Sequence, residues 1–257
     1  MNWLRAVSLA SLFLLLVPVA VLLYYGLGPL RSPAGFSASV LRSIGLTIAS
    51  SAGAAAVDVA LFTPLAYYLA RGKDRLAETL VDVPVSIPHP IVGVALVILD
   101  SPRTPTGKFL GSLGIDFYNT VLGLVVALVI ISAPIYVKSV LPYFESRDPA
   151  PEDFAMGLGA SRLRTMLSVV LPSSARGVES ASFIAMSRAL SEFGSISIVA
   201  YYVLQYPFYG VSPASVTIFG LFSGAVPGGL DAAVTASAVM ILVSLPVAIA
   251  GRLVRRA

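Results

Sequence analysis

Few side chains in this sequence can do chemistry, and their spacing says of what kind. Arg188 and Glu192 stand four apart in an apolar run, hence on one helix face, where pairing offsets part of the cost of burying both charges. Ser191, Gly194 and Ser195 surround them, small or hydroxyl-bearing residues that suit a polar path through apolar surroundings. An ion pair that only holds helices together fits the same residues. Asp58 lies inside a second apolar run, where a lipid-exposed charge would cost about 2.5 kcal/mol or more. It must face protein or water, as a path residue or as a buried, hydrogen-bonded or protonated carboxyl. His89, the one histidine, sits among Pro84, Pro88 and Pro90 and reads as an end-of-helix structural residue rather than a metal ligand or proton relay. One histidine and zero cysteines exclude a histidine zinc cluster, disulfides and thiolate chemistry. Gly107-Lys108 is no phosphate loop, because Pro102 stands where the first glycine belongs and Phe109 follows the lysine. The chain therefore offers no nucleotide site and needs no cofactor of its own. Nor does it pair catalytic residues within a span, which argues against an intramembrane enzyme.

The elements that hold these residues are set by hydropathy. Of 257 residues 57% are hydrophobic and 12% charged, with a mean hydropathy of +0.88; soluble domains are about a quarter charged. An all-α integral membrane protein of six transmembrane helices follows, as a single domain over 1–257 with spans near 6–27, 44–70, 84–99, 120–140, 178–204 and 231–250. A cleaved signal peptide competes for the first run, but only Arg5 precedes it and its apolar part exceeds a typical signal core. Pro134 predicts a kink in the fourth span, and the fifth, holding Arg188 and Glu192, is the least lipid-like. Gln205 to Gly229 has no charged residue but carries Pro207, Pro213 and Pro227, which reads as an outer or re-entrant segment with a short helix capped by Ser212.

Counting basic residues orients the spans. Arg5, Arg71, Lys73, Arg75, Arg147, Arg162, Arg164, Arg176, Arg252, Arg255 and Arg256 fall on one side, against Arg31, Arg42, Arg103 and Lys108 on the other. Both termini are then cytoplasmic in a prokaryotic cell membrane. The basic residues are explained by this orientation, and no aromatic-interleaved patch points to nucleic acid. Asn and Gln are scarce and Cys absent, a weak thermophile signature.

The stretch 151–172, PEDFAMGLGASRLRTMLSVVLP, is the long amphipathic segment that must face water. It reads as two short helices broken at Gly159: the first with Glu152 and Asp153 in its opening turn and Phe154 and Leu158 on one face, the second capped by Ser161 with Leu163, Met166, Leu167 and Val170 along one side. Acid, small residues, Gly-Ala-Ser and a closing Leu-Pro resemble the coupling loop of membrane permeases of ATP-binding cassette importers, with Asp153, Phe154, Ala155 and Gly159 at its marked positions and Phe154 where alanine is usual. Pro64-Leu65-Ala66-Tyr67 followed by Leu69-Ala70-Arg71 is similar to the same family. The segment RALSEFGSI, 188–196, and the run Pro84-x-x-x-Pro88-His89-x-x-x-Gly93 resemble its molybdate and tungstate branch, close to the sulfate permeases.

The resemblance implies a type I importer permease with a cytoplasmic coupling helix. It implies contact with the ATPase through Glu152, Asp153, Phe154, Ala155, Gly159, Ala160 and Ser161. It further implies a path or gate near Arg188, Ser191, Glu192, Gly194 and Ser195, passing the anion over the hydroxyls of Ser191, Ser195 and Ser197. A second copy of the chain, two ATPase subunits that hold ATP and magnesium, an external oxyanion-binding protein and the bilayer are the implied partners. Molybdate, tungstate and sulfate stay open, and a secondary transporter is the competing class.

Overall fold

The computed structural model of the chain describes residues 2–72, 74–224 and 227–256, and the side chains of all of these except Asn2, Arg255 and Arg256. Lys73 and the side chains of Arg255 and Arg256, counted above on the basic side, lie outside the described residues, as do Ala225 and Val226 of the uncharged loop. In order the helices are α1 (Asn2–Leu27), α2 (Ala38–Gly72), α3 (Arg75–Val81), α4 (Val83–Ser86), α5 (His89–Asp100), α6 (Pro105–Ser112) and α7 (Val121–Glu145). There follow α8 (Ala150–Gly157), α9 (Arg162–Thr165), a π-helical turn over Met166–Val170, α10 (Leu171–Ser173), α11 (Ala175–Leu190), α12 (Ile196–Val199), α13 (Ala214–Ser223) and α14 (Gly229–Arg256). No strand forms among the described residues beyond one isolated antiparallel bridge, Val203 to Val211.

Four of these helices are long and apolar enough to cross a bilayer: Trp3–Leu27, Ala38–Gly72, Val121–Glu145 and Gly229–Val254. They coincide with the first, second, fourth and sixth predicted spans. The third and fifth differ from the expectation of single helices. Pro84 and Pro88 stop backbone pairing around Ile87, so the third span is α4, a break and the 12-residue α5. The fifth, expected over 178–204, is the 16-residue α11, which ends at Leu190; Ser191 to Gly194 leave the helix and only the four-residue α12 resumes it. Apolar composition marks a segment as membrane-embedded but does not require it to be one helix.

The centre of the molecule is α2 laid along α7, with α11 against both and α14 behind α11. Ala54, Ala66, Ala127, Ala181 and Ala185 are fully buried here, and such small residues let helix backbones approach closely where lipid gives no hydrophobic drive. α1 touches chiefly α14 and leaves Leu14, Leu15 and Leu16 exposed, as a lipid-facing helix does. α13 starts after Pro213, and Ser212 does not cap it; the Ala214 amide donates instead to the Thr47 hydroxyl of α2 at 2.8 Å.

One glycine controls the contact between α5 and α12. A Cβ at Gly93 would meet the Ser195 backbone oxygen at 2.5 Å and Ile198 Cβ at 3.0 Å. Backbone cannot swing aside, so Gly93→Ala is expected to force the two elements apart at about 1–3 kcal/mol and to lower the thermal midpoint of the purified chain by several degrees. Gly111→Ala, where a Cβ meets nothing within 4 Å, is the control that should leave the midpoint unchanged or raised.

Candidate functional site

The charged stretch 151–172 is organised by one inward carboxylate. Pro149 and Pro151 start α8, and Glu152 in its first turn is 5% exposed. Its Oε1 takes a hydrogen bond from Arg71 Nη2 at 2.5 Å, and its Oε2 takes one from Arg71 Nε at 3.2 Å and one from the Tyr67 hydroxyl at 2.7 Å. Tyr67 and Arg71 stand one turn apart at the end of α2, so a single helix face supplies all three donors. Burial alone would raise the Glu152 carboxyl, but the hydrogen bonds from Arg71 and Tyr67 and the guanidinium charge outweigh it and hold the group below its ordinary value. Arg71 Nη2 also reaches the Arg147 carbonyl at 3.4 Å, and Arg147 Nη2 donates to the Ser173 carbonyl at 2.5 Å, closing the segment onto the end of α7. Beside the clasp is a cavity of about 560 Å³, lined by Tyr67, Arg71, Asp153, Met156, Arg162 and Leu163 among others.

The remaining residues expected at an ATPase contact divide differently. Glu152 faces the protein and not solvent, whereas Asp153, Phe154, Gly159 and Ser161 are exposed and Ala155 and Ala160 partly so. Phe154 and Leu158 share a face as expected and are 71% and 75% exposed. Gly159 has φ +90°, and a Cβ there would meet nothing within 4 Å, so the backbone needs glycine although space does not. Ser161 caps α9, its hydroxyl accepting from the Arg164 amide at 3.3 Å. Leu163, Met166, Leu167 and Val170 do not form one stripe: Met166 and Val170 are buried, while Leu163 and Leu167 are exposed. These are two i, i+4 rows, and the π turn carries the second row, Met166 and Val170, onto the core. Phe154, Leu158, Leu163 and Leu167 are thus exposed apolar residues on the charged stretch 151–172.

The second cluster is at the break after α11. Glu192 is 1% exposed; its Oε2 lies 3.3 Å from Arg188 Nη2 and 2.9 Å from His89 Nδ1. Its Oε1 accepts from the Ser195 amide at 2.9 Å and the Ser195 hydroxyl at 3.1 Å, and the Ser215 hydroxyl of α13 donates to its carbonyl at 2.8 Å. Arg188 Nη2 stands 2.9 Å from both His89 ring nitrogens, and its Nη1 donates to Ser191 Oγ at 3.1 Å. A Cβ at Gly194 would come within 3.1 Å of His89 Cβ. The predicted path residues Arg188, Ser191, Glu192, Gly194 and Ser195 are therefore together, but as a knot. Ser195 is fully buried and bonded to Glu192, and Ser197 donates to the Gly194 carbonyl at 3.0 Å. Of the three hydroxyls expected to line a path, only Ser191 is exposed. His89 is the residue sequence reasoning placed elsewhere: it does begin α5, but it also meets Arg188 and Glu192.

Asp58 has its own partner. It is fully buried between α2 and α7, with Oδ2 accepting from Ser132 at 2.5 Å and Oδ1 without a partner among the described residues. One turn further along, Thr63 and Tyr136 join the same helices at 2.5 Å. Asp58→Asn retains the acceptor for Ser132 and removes the charge, so stability is expected within about 1 kcal/mol of wild type, while Asp58→Ala removes the bond between α2 and α7, leaves Ser132 on the Leu128 carbonyl at 2.9 Å, and costs about 0.5–1.5 kcal/mol. Transport by Asp58→Asn separates the two roles: a buried structural carboxyl predicts that it is retained, a path residue that it is lost.

Residues 62–257 match the family model described as "binding-protein-dependent transport system inner membrane component". The chain is 32% identical over 199 residues to the molybdate/tungstate transport system permease protein WtpB of Pyrococcus abyssi, covering 72% of this chain and 75% of that one. It is 35% identical over 167 residues to the WtpB of Pyrococcus furiosus, covering 63% and 61%. Against the sulfate transport system permease protein CysT of Salmonella typhimurium it is 34% identical over 125 residues, spanning 45% of that relative. Among solved structures the inward-facing MetNI methionine ABC transporter matches at a TM-score of 0.59 and 17% identity, over 84% of this chain and 95% of that one; this likeness speaks to the fold, that of type I importer permeases. The chain belongs to the family of binding-protein-dependent transport system inner membrane components, the membrane permeases of ATP-binding cassette importers.

Proposed function

We propose that this permease imports a tetrahedral oxyanion of the molybdate and tungstate class, working as a pair of identical chains in the cytoplasmic membrane. Both termini and the stretch 151–172 face the cytoplasm, where two separate ATPase subunits hold ATP and magnesium, and an external binding protein delivers the anion. The observation that carries the coupling role is the exposure of Phe154, Leu158, Leu163 and Leu167 together on a charged segment outside the long spans, since large apolar side chains held out on such a segment mark a partner site. Support for the substrate class comes from the WtpB relatives, permease proteins of molybdate/tungstate transport systems. Sulfate is the second reading, favoured by the CysT match.

Mechanically the clasp of Glu152 on Arg71 and Tyr67 makes the segment move with α2. ATP drawing the ATPase subunits together would displace α8, and through the clasp shift the population of α2 and α7 arrangements that open the path to one side or the other. Asp153 at the first turn of α8 and Gly159 after it would shape the docked surface. The deciding experiment is uptake of tungstate and, separately, sulfate into vesicles holding this chain with its ATPase and its binding protein. ATP-dependent tungstate uptake is expected. Uptake without any ATPase subunit would replace the proposal with a secondary transporter, and sulfate in preference to tungstate would move the substrate assignment.

A further inference from the structure

We infer that Arg188 and His89 form an anion contact in the translocation path, and that protonation of His89 strengthens it. This rests on the importer function proposed above and says which groups of the path meet the oxyanion.

The charge count of the cluster carries the argument. Glu192 is saturated: Oε1 is taken by the Ser195 amide and hydroxyl, Oε2 by His89 and Arg188, and the residue is 1% exposed. It cannot turn away to serve another cation. Arg188 and His89, in contrast, keep 27% and 32% of their side chains open. With a neutral imidazole the guanidinium and the carboxylate cancel. A protonated imidazole adds a second cation 2.9 Å from Arg188 Nη2 with no second carboxylate to meet it. In partly dry surroundings that excess charge is costly unless an anion supplies the balance.

The same nitrogen is equidistant from both ring nitrogens, so it lies across the imidazole and not on one lone pair, with Glu192 Oε2 within 3.3 Å of both groups. Ser191, bonded to Arg188 Nη1 at 3.1 Å, is the member of the cluster that lines two neighbouring cavities of about 450 and 410 Å³, which Arg188 and His89 do not line. A guanidinium fork suits tetrahedral oxyanions, whereas Ser195 and Ser197, spent on Glu192 and on the Gly194 carbonyl, cannot offer a ladder of hydroxyls.

Among the described residues no other ion pair reaches His89. α12 carries none; Lys108 of α6 belongs to the Asp100 end of α5, where Gly107 abuts Ser101. Lys138 of α7 is paired with Asp82 at 2.7 Å, and Glu145 ends that helix. Arg188 and Glu192 of the α11 end are the charged groups that face the ring.

The test measures ATP-driven tungstate uptake into vesicles holding the complete transporter, with saturating tungstate-loaded binding protein, at pH 6 and pH 8. Wild type is compared with His89→Gln, which keeps an acceptor and donor but no titration, and with His89→Lys, a fixed cation; assembly is checked by co-elution with the ATPase. The wild-type to His89→Gln rate ratio is expected to be about threefold or more higher at pH 6 than at pH 8, and His89→Lys should exceed wild type at pH 8 by a similar factor. Using the ratio removes pH effects arising in the ATPase or binding protein. A ratio that stays constant with pH overturns the inference, even if His89→Gln is slow throughout, because a purely structural histidine would act equally at both values. If one variant fails to assemble, the other decides alone. Wild type importing no oxyanion at either pH would overturn the proposed function and this inference with it.

Discussion

Leu158→Asp is expected to reduce the ATPase recovered with the permease by about 30-fold, the loss of about 2 kcal/mol typical of a central interface residue. The physical reason is desolvation in the wrong direction. Leu158 is 75% exposed, so the free permease should fold unchanged and its thermal midpoint should stay put, whereas a docked complex would bury the new carboxylate without a partner. Phe154→Ala should act in the same sense with a smaller effect, since truncation leaves a void rather than a charge. Pull-down of the ATPase from detergent, alongside thermal unfolding of the permease alone, separates docking from folding. An unaltered recovery with Leu158→Asp would mean that this row is not the docking surface.

Glu152→Ala is expected to do the reverse: the docking row remains, but its tie to the spans is cut. Two charge-assisted bonds from Arg71 and one from Tyr67 end on this carboxylate. With Arg71 about a quarter exposed, their combined loss is put at about 2 kcal/mol. ATPase should still co-purify while transport per ATP hydrolysed falls at least tenfold, a ratio measured in vesicles. The swapped pair Glu152→Arg with Arg71→Glu should recover part of that ratio if the clasp acts through charge. Because hydrogen bonding depresses the Glu152 carboxyl below its ordinary value of 4.5, its stabilisation is complete above about pH 4.5 and disappears as pH falls through the lower folded-state value. Glu152→Gln should remove that acid-side dependence and, lacking the charge that Arg71 meets, lower stability across the neutral range toward the level of the protonated carboxyl.

Much of this was legible in the chain. Hydrophobic runs of 20 or more residues can only be membrane-embedded helices, and α1, α2, α7 and α14 are where the hydropathy puts them. Glycine after a short amphipathic helix followed by Ser161 announces a break and a cap, and Gly159 does adopt positive φ while Ser161 does cap α9. The pairing of Arg188 with Glu192 follows from helical spacing alone, even though the helix itself stops two residues earlier.

What the sequence could not decide is direction and partnership between segments distant in the chain. Glu152 and Asp153 are adjacent acids with equal claims to face a partner; only the approach of Tyr67 and Arg71, 81 or more residues away, turns one inward and leaves the other exposed. The one hint was that Tyr67 and Arg71 are four apart and so share a face. His89 and Arg188 are 99 residues apart, and nothing in either neighbourhood names the other. Composition and periodicity act through neighbours along one helix, so they determined which segments enter the membrane and where they break. Which charges are neutralised, and which stay open to solvent, was decided by the tertiary packing of α2, α5, α8 and α11, because a charge in a dry interior is defined by what stands opposite it.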